Sequence, residues 1–294
     1  QRVSETMLRF VPEYTPPTKE VLQKFRDIIA GVDRLIVLTG AGISTESGIP
    51  DYRSEKVGQY ARTNYRPVDH NDFMRNESWR KYYWSRNLVQ YPSFSRSKPN
   101  IVHKTIAEWE KSDRFTWLIT QNVDGLHTEA GSKKVTELHG CSRRVQCMNC
   151  NALYPRDEMQ KWILEANPDW LEKMVGTKEP DGSEHLTDEA IDAFNVPHCP
   201  KCGPGSILKT DVVFFGDNLR GTDVSTTYEK LEESNGMLVL GSSLQVMTGY
   251  NIVRAAFVQS MPIVIVNIGA TGADDLATMK IAAKCSDVVK EVHL

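Results

Sequence analysis

A chain of 294 residues with 40% hydrophobic and 25% charged side chains is long enough for one large domain and a smaller companion. Its 35 basic and 38 acidic residues give a formal charge of -3, so neither nucleic acid nor an anionic membrane is an expected partner. It has no run of 18 apolar residues, and we therefore predict no membrane-spanning helix.

The amino-terminal part of the chain predicts a helix and then a buried strand. Thr18 precedes apolar residues at helical spacing and Gly31 follows them, so these two residues are expected to cap a helix. A strand is predicted at residues 35–38, immediately before the turn at Gly40 and Gly42. Similar short apolar runs occur at residues 115–120, 212–215, 237–240 and 263–266.

The spacing of these runs predicts the fold class and the larger domain. Continuous apolar runs separated by helix-length stretches are typical of strands buried on both faces of a parallel sheet. We therefore predict an α/β fold with a doubly wound, Rossmann-like parallel sheet. This larger domain is expected to comprise residues 18–51, 115–143 and 204–294.

Two other stretches predict a smaller, discontinuous domain that is helical and holds a zinc ribbon. Residues 52–114 carry 13 Lys or Arg against 7 Asp or Glu and contain no strand-like run, so we expect a helical module there. Residues 144–203 contain two pairs of cysteines and are expected to form a zinc-binding module. Within them, residues 165–197 hold nine acidic residues against two lysines, which predicts a solvated insertion.

The turn at Gly40 is similar to half of a dinucleotide-binding fingerprint. Gly40 and Gly42 follow a strand as in G-x-G-x-x-G, but Thr45 stands where the third glycine belongs. A backbone without side chains lets a pyrophosphate approach closely, and the next helix offers its amides. Residues 48–53, Gly-Ile-Pro-Asp-Tyr-Arg, are typical of a loop that folds over a ligand. A purely structural turn, with Ser44 as a helix cap, is the alternative.

The loop after the second strand brings polar groups to the same edge of the sheet. Gln121, Asn122 and Asp124 follow the strand at residues 115–120, and the carboxyl ends of parallel strands form the ligand crevice. Their amide and carboxylate groups suit ribose hydroxyls or a carboxamide. His127 is expected to be structural, at the start of the next helix.

Two later loops are placed to meet the adenosine half of a dinucleotide. Residues 241–243, Gly-Ser-Ser, and residues 267–269, Asn-Ile-Gly, each follow a predicted buried strand. Their backbone amides, hydroxyls and side-chain amide are suitable hydrogen-bonding groups. Either loop alone would be unremarkable.

The sequence offers one candidate for proton transfer. His139 has the side chain whose ordinary pKa lies nearest neutrality, and Gly140 keeps the backbone beside it open. A structural role for His139 is the alternative.

The four paired cysteines have the spacing of a closed zinc site. Cys147 and Cys150 form one C-x2-C pair, and Cys199 and Cys202 form another. Four thiolates in two such pairs make a tetrahedral site without an open position, so the metal is expected to hold structure. Two unrelated or redox-active pairs are the alternative.

Taken together, these motifs closely resemble the sirtuin family of NAD-dependent protein deacylases. The resemblance extends from about residue 30 to residue 285, nearly the whole chain. The segments that match the family are residues 40–44, 48–53, 120–124, 139–140, 212–216, 241–244 and 267, together with both cysteine pairs. Within the family, the sequence is most similar to the mitochondrial sirtuin-four type, mainly through residues 49–57, 211–217 and 241–246.

The resemblance implies that NAD is consumed as a co-substrate and that zinc is structural. It implies that His139 is the general base that deprotonates a ribose hydroxyl, and that Asn122 and Asp124 line the nicotinamide pocket as catalytic residues. The loop at residues 50–53 would clamp the nicotinamide ribose. The full set implied in NAD binding is Gly40, Ala41, Gly42, Ser44, Glu46, Pro50, Asp51, Tyr52, Arg53, Gln121, Asn122, Asp124, Gly241, Ser242, Ser243, Asn267, Ile268, Gly269 and Cys285.

The resemblance also implies an acyl-lysine protein as the other substrate. Val212, Val213 and Phe214 would pair with the backbone of the substrate peptide as an added strand. Tyr83 and Arg86 match the Tyr-x-x-Arg of sirtuins that remove acidic acyl groups, where the guanidinium would pair with a terminal carboxylate. The alternative is that both belong to an aromatic helix face.

Departures from the family pattern are mild. Most sirtuins have Phe where Tyr52 stands, Thr where Ser242 stands, Glu where Asp217 stands, and a proline near Met247 or Thr248. These differences suggest a slower or differently selective deacetylase without the loss of a chemical group.

The predicted function is NAD-dependent removal of acidic or long acyl groups, of the methylglutaryl or lipoyl type, from protein lysines. The products would be nicotinamide and 2′-O-acyl-ADP-ribose. Mono-ADP-ribosyl transfer to a protein at the same site is one alternative. A sensor that binds NAD or acyl-lysine without significant turnover is the other.

The expected partners are acyl-lysine proteins, among them metabolic enzymes, and neither nucleic acid nor a membrane. The resemblance implies a location in the mitochondrial matrix, and a targeting segment is expected upstream because the first residue, Gln1, is not Met. The insertion at residues 165–197 is expected to lie near the active-site mouth and to restrict the acyl groups that enter.

Overall fold

The structure, a computed structural model, describes residues 10–59, 67–173 and 186–294. Its strands are β1 (Leu35–Thr39), β2 (Phe115–Thr120), β3 (Val135–Glu137), β4 (Gly140–Cys147), β5 (Leu153–Pro155), β6 (Leu208–Val212), β7 (Gly236–Leu240), β8 (Ile263–Val266) and β9 (Met279–Ile281). Its α-helices are α1 (Lys19–Ala30), α2 (His70–Arg75), α3 (Glu77–Phe94), α4 (Ile101–Trp109), α5 (Leu126–Ala130), α6 (Arg156–Ala166), α7 (Trp170–Lys173), α8 (Asp188–Asp192), α9 (Gly221–Glu232), α10 (Met247–Val258) and α11 (Cys285–Val289). Among these described helices, none combines the length and the hydropathy that crossing a bilayer requires.

The chain forms two compact units. The first unit contains the described residues of the ranges 1–61, 97–139 and 219–294, and the second contains those of the ranges 62–96 and 140–218.

The first unit is built on a six-stranded parallel sheet. Its strand order is β3-β2-β1-β7-β8-β9, and every neighbouring pair is parallel. The chain adds strands on one side of β1 and then returns to add β7, β8 and β9 on the other side. This makes the carboxyl ends of β1 and β7 a topological switch point. The predicted doubly wound α/β fold is confirmed.

Alternate residues of the central strands enter two different cores of the first unit. In β1, Leu35 and Val37 pack into one core, and Ile36 and Leu38 pack into the other. Both faces of the strand are therefore apolar, which explains the continuous apolar run in the sequence.

The predicted caps of α1 are confirmed. The Thr18 hydroxyl accepts a hydrogen bond from the backbone N–H of Val21 at 3.4 Å, and the N–H of Gly31 donates to the carbonyl of Ile28 at 3.2 Å. These bonds satisfy backbone groups that the helix itself leaves without partners at its two ends.

The second unit packs helices around a three-stranded antiparallel sheet with the order β5-β4-β6. Trp84 of α3 is fully buried in its core and donates from Nε1 to the carbonyl of Leu208 at 2.9 Å. The guanidinium of Arg156 lies 5.2 Å from the Trp84 ring and 4.1 Å from the Tyr91 ring. This unit therefore has a core of its own.

The structure corrects the strand predicted at residues 212–215. That segment does not join the parallel sheet, because β6 ends at its first residue and pairs antiparallel with β4. The apolar pattern of the sequence does not predict β6, because Lys209, Thr210 and Asp211 are polar although they are buried. Burial is possible where such groups have partners, as Asp211 does with Arg144 at 2.9 Å.

Helix α4 lies in the first unit, whereas the sequence places it in the helical module at residues 52–114. The physical reason is that Val102, Ile106 and Trp109 pack into one of the two cores beside β1. A basic, aromatic composition does not reveal which core a helix joins.

The predicted insertion at residues 165–197 is described in part, since residues 174–185 lie outside the described residues. On either side of them, Asn167 and Asn195 exchange two hydrogen bonds, at 2.7 Å and 2.8 Å. The two ends of the insertion are thus joined at its base. Its place near an active-site mouth stays a prediction.

Candidate active site

Two glycine turns approach each other where β1 and β7 end. Gly40 donates from its N–H to the carbonyl of Leu240 at 3.0 Å, and Gly42 donates to that of Gly241 at 2.8 Å. A Cβ on Gly42 would lie 2.8 Å from the Gly241 carbonyl oxygen, and one on Gly241, where φ is +63°, would lie 2.5 Å from the nitrogen of Ile43. These glycines permit contact between two backbones. The expected role of this turn, in which the bare backbone lets a pyrophosphate approach, stays a prediction.

The segment Ala41–Ser47 is a 3-10 helix that directs Ser44 towards the loop after β2. The Ser44 hydroxyl donates to Oδ2 of Asp124 at 2.7 Å and accepts from Nδ2 of Asn122 at 3.1 Å. The other carboxylate oxygen of Asp124 accepts from the N–H of Leu126 at 2.9 Å. Three residues predicted from two separate motifs are therefore brought together and buried. The Ser44 hydroxyl thus bonds to the loop after β2 and does not cap a helix.

The Pro-Asp-Tyr-Arg loop continues from this 3-10 helix. Pro50 and Asp51 are half-buried, and Tyr52 and Arg53 are exposed. The carboxylate of Asp51 accepts from both the N–H and the hydroxyl of Ser54, the former at 3.1 Å. The Asp51 carboxylate is thus bonded within the loop, and the side chains of Tyr52 and Arg53 are exposed.

Two hydrogen bonds define the tautomer of His139. Nδ1 lies 3.0 Å from the backbone carbonyl oxygen of Gln121, and Nε2 lies 2.8 Å from the hydroxyl of Thr248. Because a carbonyl oxygen only accepts, Nδ1 carries the proton and Nε2 keeps its lone pair. Burial lowers the pKa of His139, and the Gln121 carbonyl opposes that shift. His139 is therefore a neutral imidazole near neutral pH, with Nε2 as its basic atom.

The loops after β7 and β8 contribute polar groups near the same edge. The Ser242 hydroxyl accepts from Nε2 of Gln121 at 2.8 Å, which links the loop after β7 to the loop after β2. After β8, Nδ2 of Asn267 donates to the carbonyl of Gly269 at 2.9 Å. The half-buried members of these loops are Ser243, Asn267 and Ile268.

Two further residues implied in NAD binding connect the 3-10 helix to the carboxyl-terminal segment. Glu46 pairs with Lys284 at 3.0 Å and accepts from the hydroxyl of Ser286 at 2.8 Å. Cys285 is buried with its Sγ 3.6 Å from the carbonyl oxygen of Val266. Burial raises the pKa of Cys285 to about 12, so this side chain is a thiol at neutral pH.

Asn100 fixes the 3-10 helix from the start of α4, and the sequence did not single it out. Its Nδ2 donates to the carbonyl of Ile43 at 2.7 Å and to the hydroxyl of Ser47 at 3.0 Å. Its Oδ1 accepts from the N–H of Val102 at 2.9 Å, and its own N–H donates to Nδ1 of His103 at 3.3 Å. This is a capping box. The Asn-x-x-His spacing before an apolar run is the signal that predicts it.

Two buried imidazoles lie next to each other in the first unit. His127 has Nε2 3.0 Å from the hydroxyl of Thr39, and its ring centroid is 4.8 Å from that of His103. Burial lowers the pKa of His103 to about 4. Burial and then the neighbouring His103 lower the pKa of His127 well below its ordinary value. Both rings are therefore neutral parts of the core at neutral pH.

We expect acid to destabilise the protein through His103. The folded pKa of about 4 lies below the unfolded value of 6.5, so the unfolded chain takes up the proton first. The contribution of His103 to stability is complete above pH 6.5 and is lost as the pH falls from 6.5 to about 4, a loss of about 2 kcal/mol by pH 5. Urea unfolding at neutral and mildly acidic pH measures it.

The matched variant for this prediction is His103→Gln, which keeps an acceptor at the capping-box position without a titratable ring. Its stability should fall by about 2 kcal/mol less than that of the parent over the same pH interval. An equal loss in the two proteins would show that His103 does not carry the effect.

Tyr83 and Arg86 lie on α3 in the second unit. The Tyr83 hydroxyl is 2.5 Å from that of Thr210, and its ring centroid is 5.1 Å from that of Phe214. Burial raises the pKa of Tyr83. The guanidinium of Arg86 lies 5.6 Å from the ring centroid of Tyr82. Tyr83 is thus part of an aromatic cluster, as the alternative interpretation expects, and a carboxylate-binding role for the two residues stays a prediction.

The segment predicted to bind the substrate backbone is held by a buried cation. Val212 ends β6, and Val213 and Phe214 continue beyond the strand. The ammonium of Lys209 donates to the carbonyl of Val212, lies 3.2 Å from Oδ2 of Asp217, and lies 4.3 Å from the ring centroid of Phe214. The conformation of this segment is therefore fixed from within the second unit.

The four paired cysteines lie together in the second unit. Their sulfur atoms are all within 4.8 Å of one another, and the Cys147–Cys202 and Cys150–Cys199 separations are both 3.9 Å. A tetrahedral zinc with Zn–S bonds of about 2.3 Å requires sulfurs about 3.8 Å apart, so the residues fit zinc. Tyr154 places its hydroxyl 3.2 Å from Sγ of Cys199 and supports that ligand. Four cysteine ligands leave no open position, which makes the zinc structural.

The first unit fits NAD as a co-substrate. Thr39 lies opposite Thr120 and Leu240, and Leu240 lies opposite Val266, so the loops after four strands start at one edge of the sheet. This edge is the switch point at which α/β folds bind dinucleotides. It carries a carboxylate, side-chain amides, hydroxyls and the imidazole of His139.

The chain is similar to known proteins over most of its length. Residues 40–248 match the Sir2 family. The mitochondrial NAD-dependent protein lipoamidase sirtuin-4 of Bos taurus is 47% identical over 95% of this chain and 88% of its own length. The NAD-dependent protein deacylase sir-2.2 of Caenorhabditis elegans is 48% identical over 97% of this chain and 99% of its own. A solved structure of Sir2 with a deacetylated p53 peptide and 3′-O-acetyl ADP ribose is 30% identical, with a TM-score of 0.72 over 92% of this chain and 96% of that chain. The chain therefore belongs to the Sir2 family of NAD-dependent protein deacylases.

Proposed function

We propose that this chain is a protein-lysine deacylase that cleaves NAD to nicotinamide and 2′-O-acyl-ADP-ribose. The observation that carries the proposal is the tautomer of His139, in which Nδ1 donates to Gln121 and Nε2 is basic. Asn122 and Asp124 lie in the same unit and are linked through Ser44. Similarity to a lipoamidase and a deacylase favours an acyl-lysine protein as the second substrate.

In the proposed reaction, the acyl oxygen of the modified lysine attacks C1′ of the nicotinamide ribose. The glycosidic bond breaks, and nicotinamide leaves with its electron pair. The 2′-hydroxyl then attacks the acyl carbon while Nε2 of His139 accepts its proton. One water molecule is also consumed. In total, NAD, acyl-lysine and water become nicotinamide, lysine and 2′-O-acyl-ADP-ribose. Asn122 and Asp124 would line the pocket for nicotinamide.

We propose that the preferred acyl groups are acidic or long, of the methylglutaryl or lipoyl type. The lipoamidase name of the Bos taurus relative supports a long acyl group. The guanidinium of Arg86 supports an acidic one, because it can form charge-assisted hydrogen bonds with a carboxylate. The Tyr83 hydroxyl is bonded to Thr210 within the second unit.

Replacing Arg86 by Met is expected to reduce kcat/KM for a glutaryl-lysine peptide about 10- to 100-fold, because a charge-assisted hydrogen bond contributes about 1.5 to 3 kcal/mol. Lipoyl-lysine and acetyl-lysine peptides should be affected little, since they offer no terminal carboxylate. Nicotinamide release across the peptide panel measures the change. Lys81→Met, on the same helix, is the control for loss of a positive charge. A uniform loss over all acyl groups would assign Arg86 a structural role.

Mass analysis of the same reactions separates deacylation from mono-ADP-ribosyl transfer. Deacylation yields free lysine and 2′-O-acyl-ADP-ribose, whereas transfer attaches ADP-ribose to a protein nucleophile with release of nicotinamide and a proton. Intact NAD after incubation with every peptide would favour the sensor interpretation and overturn the proposed enzyme.

We propose the mitochondrial matrix as the site of action and acylated metabolic enzymes as the substrates. Support for the location comes from the Bos taurus relative, a mitochondrial protein. Imaging of the full-length protein in its own cells tests the location. Comparison of acyl-lysine proteomes with and without the protein tests the substrates.

A further inference from the structure

The hydroxyl of Thr248 is hydrogen-bonded to Nε2, the basic nitrogen of His139. The two atoms are 2.8 Å apart, and because Nδ1 donates to the Gln121 carbonyl, Nε2 has only a lone pair to offer. The Thr248 hydroxyl is therefore the donor in this bond. This bond engages the atom that the proposed reaction uses as a base.

The position of Thr248 is set by the backbone around it. Thr248 lies in the first turn of α10, and the next residue is Gly249. A Cβ on Gly249 would lie 2.5 Å from Oε1 of Gln121, so the absence of a side chain at Gly249 lets the helix start lie against the Gln121 amide where it is. Gln121 in turn donates to Ser242 at 2.8 Å. The packing of Gly249 against Gln121 thus keeps the Thr248 hydroxyl within hydrogen-bonding distance of the His139 imidazole.

We propose that Thr248 is a positioning residue that masks Nε2 of His139 and slows the step in which that nitrogen accepts a proton. The proposal rests on the proposed function. In that step, the 2′-hydroxyl of the ribose gives its proton to Nε2 as its oxygen bonds to the acyl carbon. One lone pair cannot accept from two hydroxyls along the same direction. The Thr248 bond must break before Nε2 accepts that proton, so it raises the barrier of this step.

The electrostatic surroundings allow a clean test of this role. The groups hydrogen-bonded to the His139 ring are the Gln121 carbonyl, from the loop after β2, and the Thr248 hydroxyl, from α10, and both are uncharged. A donor to the lone pair favours the neutral imidazole. Removal of the hydroxyl should therefore raise the pKa of His139 without any change in a neighbouring charge.

The test compares Thr248→Val, which has nearly the same shape without the hydroxyl, with Thr248→Ser, which keeps it. With NAD and the best acyl-lysine peptide, Thr248→Val should raise kcat about two- to tenfold, the equivalent of one hydrogen bond, and Thr248→Ser should match the parent. Proton and nitrogen NMR titration of the NAD-free proteins, with His139→Gln to assign the signal, should place the His139 pKa of Thr248→Val above that of the parent.

Each outcome decides the proposal. A lower rate in Thr248→Val than in Thr248→Ser would mean that the hydroxyl assists proton transfer and would overturn the masking role, as would an unchanged His139 titration. If Thr248→Val does not fold, Thr248→Ala is measured in the same way. A parent that leaves NAD intact overturns the proposed function, whereas the NMR comparison still confirms or overturns the contact with Thr248.

Discussion

Replacement of His139 by Ala is expected to reduce steady-state nicotinamide release about 10²- to 10⁴-fold, the usual contribution of a positioned general base. The physical reason is that Nε2 of His139 carries the lone pair while Nδ1 is fixed on the Gln121 carbonyl. Without the imidazole, the 2′-hydroxyl has no acceptor for its proton and acyl transfer stops. His293→Ala is the matched control, because His293 is exposed and lies in the same unit.

The pH dependence follows from the same environment. Burial lowers the pKa of His139 below its ordinary value of 6.5, so the neutral, basic form persists as the solution becomes mildly acidic. The acid limb of kcat/KM for NAD should therefore lie below pH 6.5, since this parameter reports the free enzyme. The parent and His293→Ala should share one profile.

Two results would contradict this role for His139. One is nicotinamide release in His139→Ala at the parental rate with an acylated peptide present. The other is an acid limb above pH 6.5, which would mean that the titrating group is stabilised in its charged form. Circular dichroism of His139→Ala checks that the fold is kept, so that lost activity reports the missing base.

The parallel sheet could be predicted from the sequence because its signal is local. Alternate residues of β1 from Leu35 to Leu38 enter two apolar cores, so each of these four residues is apolar whatever its partner strand. Strand β6 has no such signal, because its polar residue Asp211 is buried with a partner 67 residues away, Arg144. A pattern in one segment does not show that a distant residue satisfies a polar group.

The same limit applies to the candidate site. The residue types of the Gly40, Asn122 and His139 motifs could be identified because each motif is short and carries its chemistry within a few residues. Asn100 and Thr248 could not, since their partners lie 57 residues away at Ile43 and 109 residues away at His139. Hydrogen-bond partners at that separation are fixed by the fold, which also gave the tautomer of His139.

Loss of zinc is expected to unfold much of the second unit. Cys150→Ser removes one of four ligands, and the remaining three thiolates hold zinc less tightly in an incomplete tetrahedron. Structural zinc supplies about 10 to 16 kcal/mol in zinc-finger peptides. This unit also has a core around Trp84, so we expect a smaller loss in the free energy of unfolding, roughly 5 kcal/mol. Urea unfolding, followed by tryptophan fluorescence, and zinc content by mass spectrometry measure the effect.

The control for zinc loss is a second Cys-to-Ser substitution in the second unit, at Cys141. Cys141 is buried but lies outside the four-cysteine cluster, so Cys141→Ser should keep one zinc per chain and lose only about 1 to 3 kcal/mol from burial of a hydroxyl. NAD binding by calorimetry should survive in Cys150→Ser, because the residues that fit NAD lie in the first unit. If Cys150→Ser kept its zinc, or if a chelator removed zinc without a change in unfolding, the metal would not be structural. Loss of NAD cleavage in a fully folded, zinc-free protein would instead assign zinc to the chemistry, which a site with four cysteine ligands does not allow.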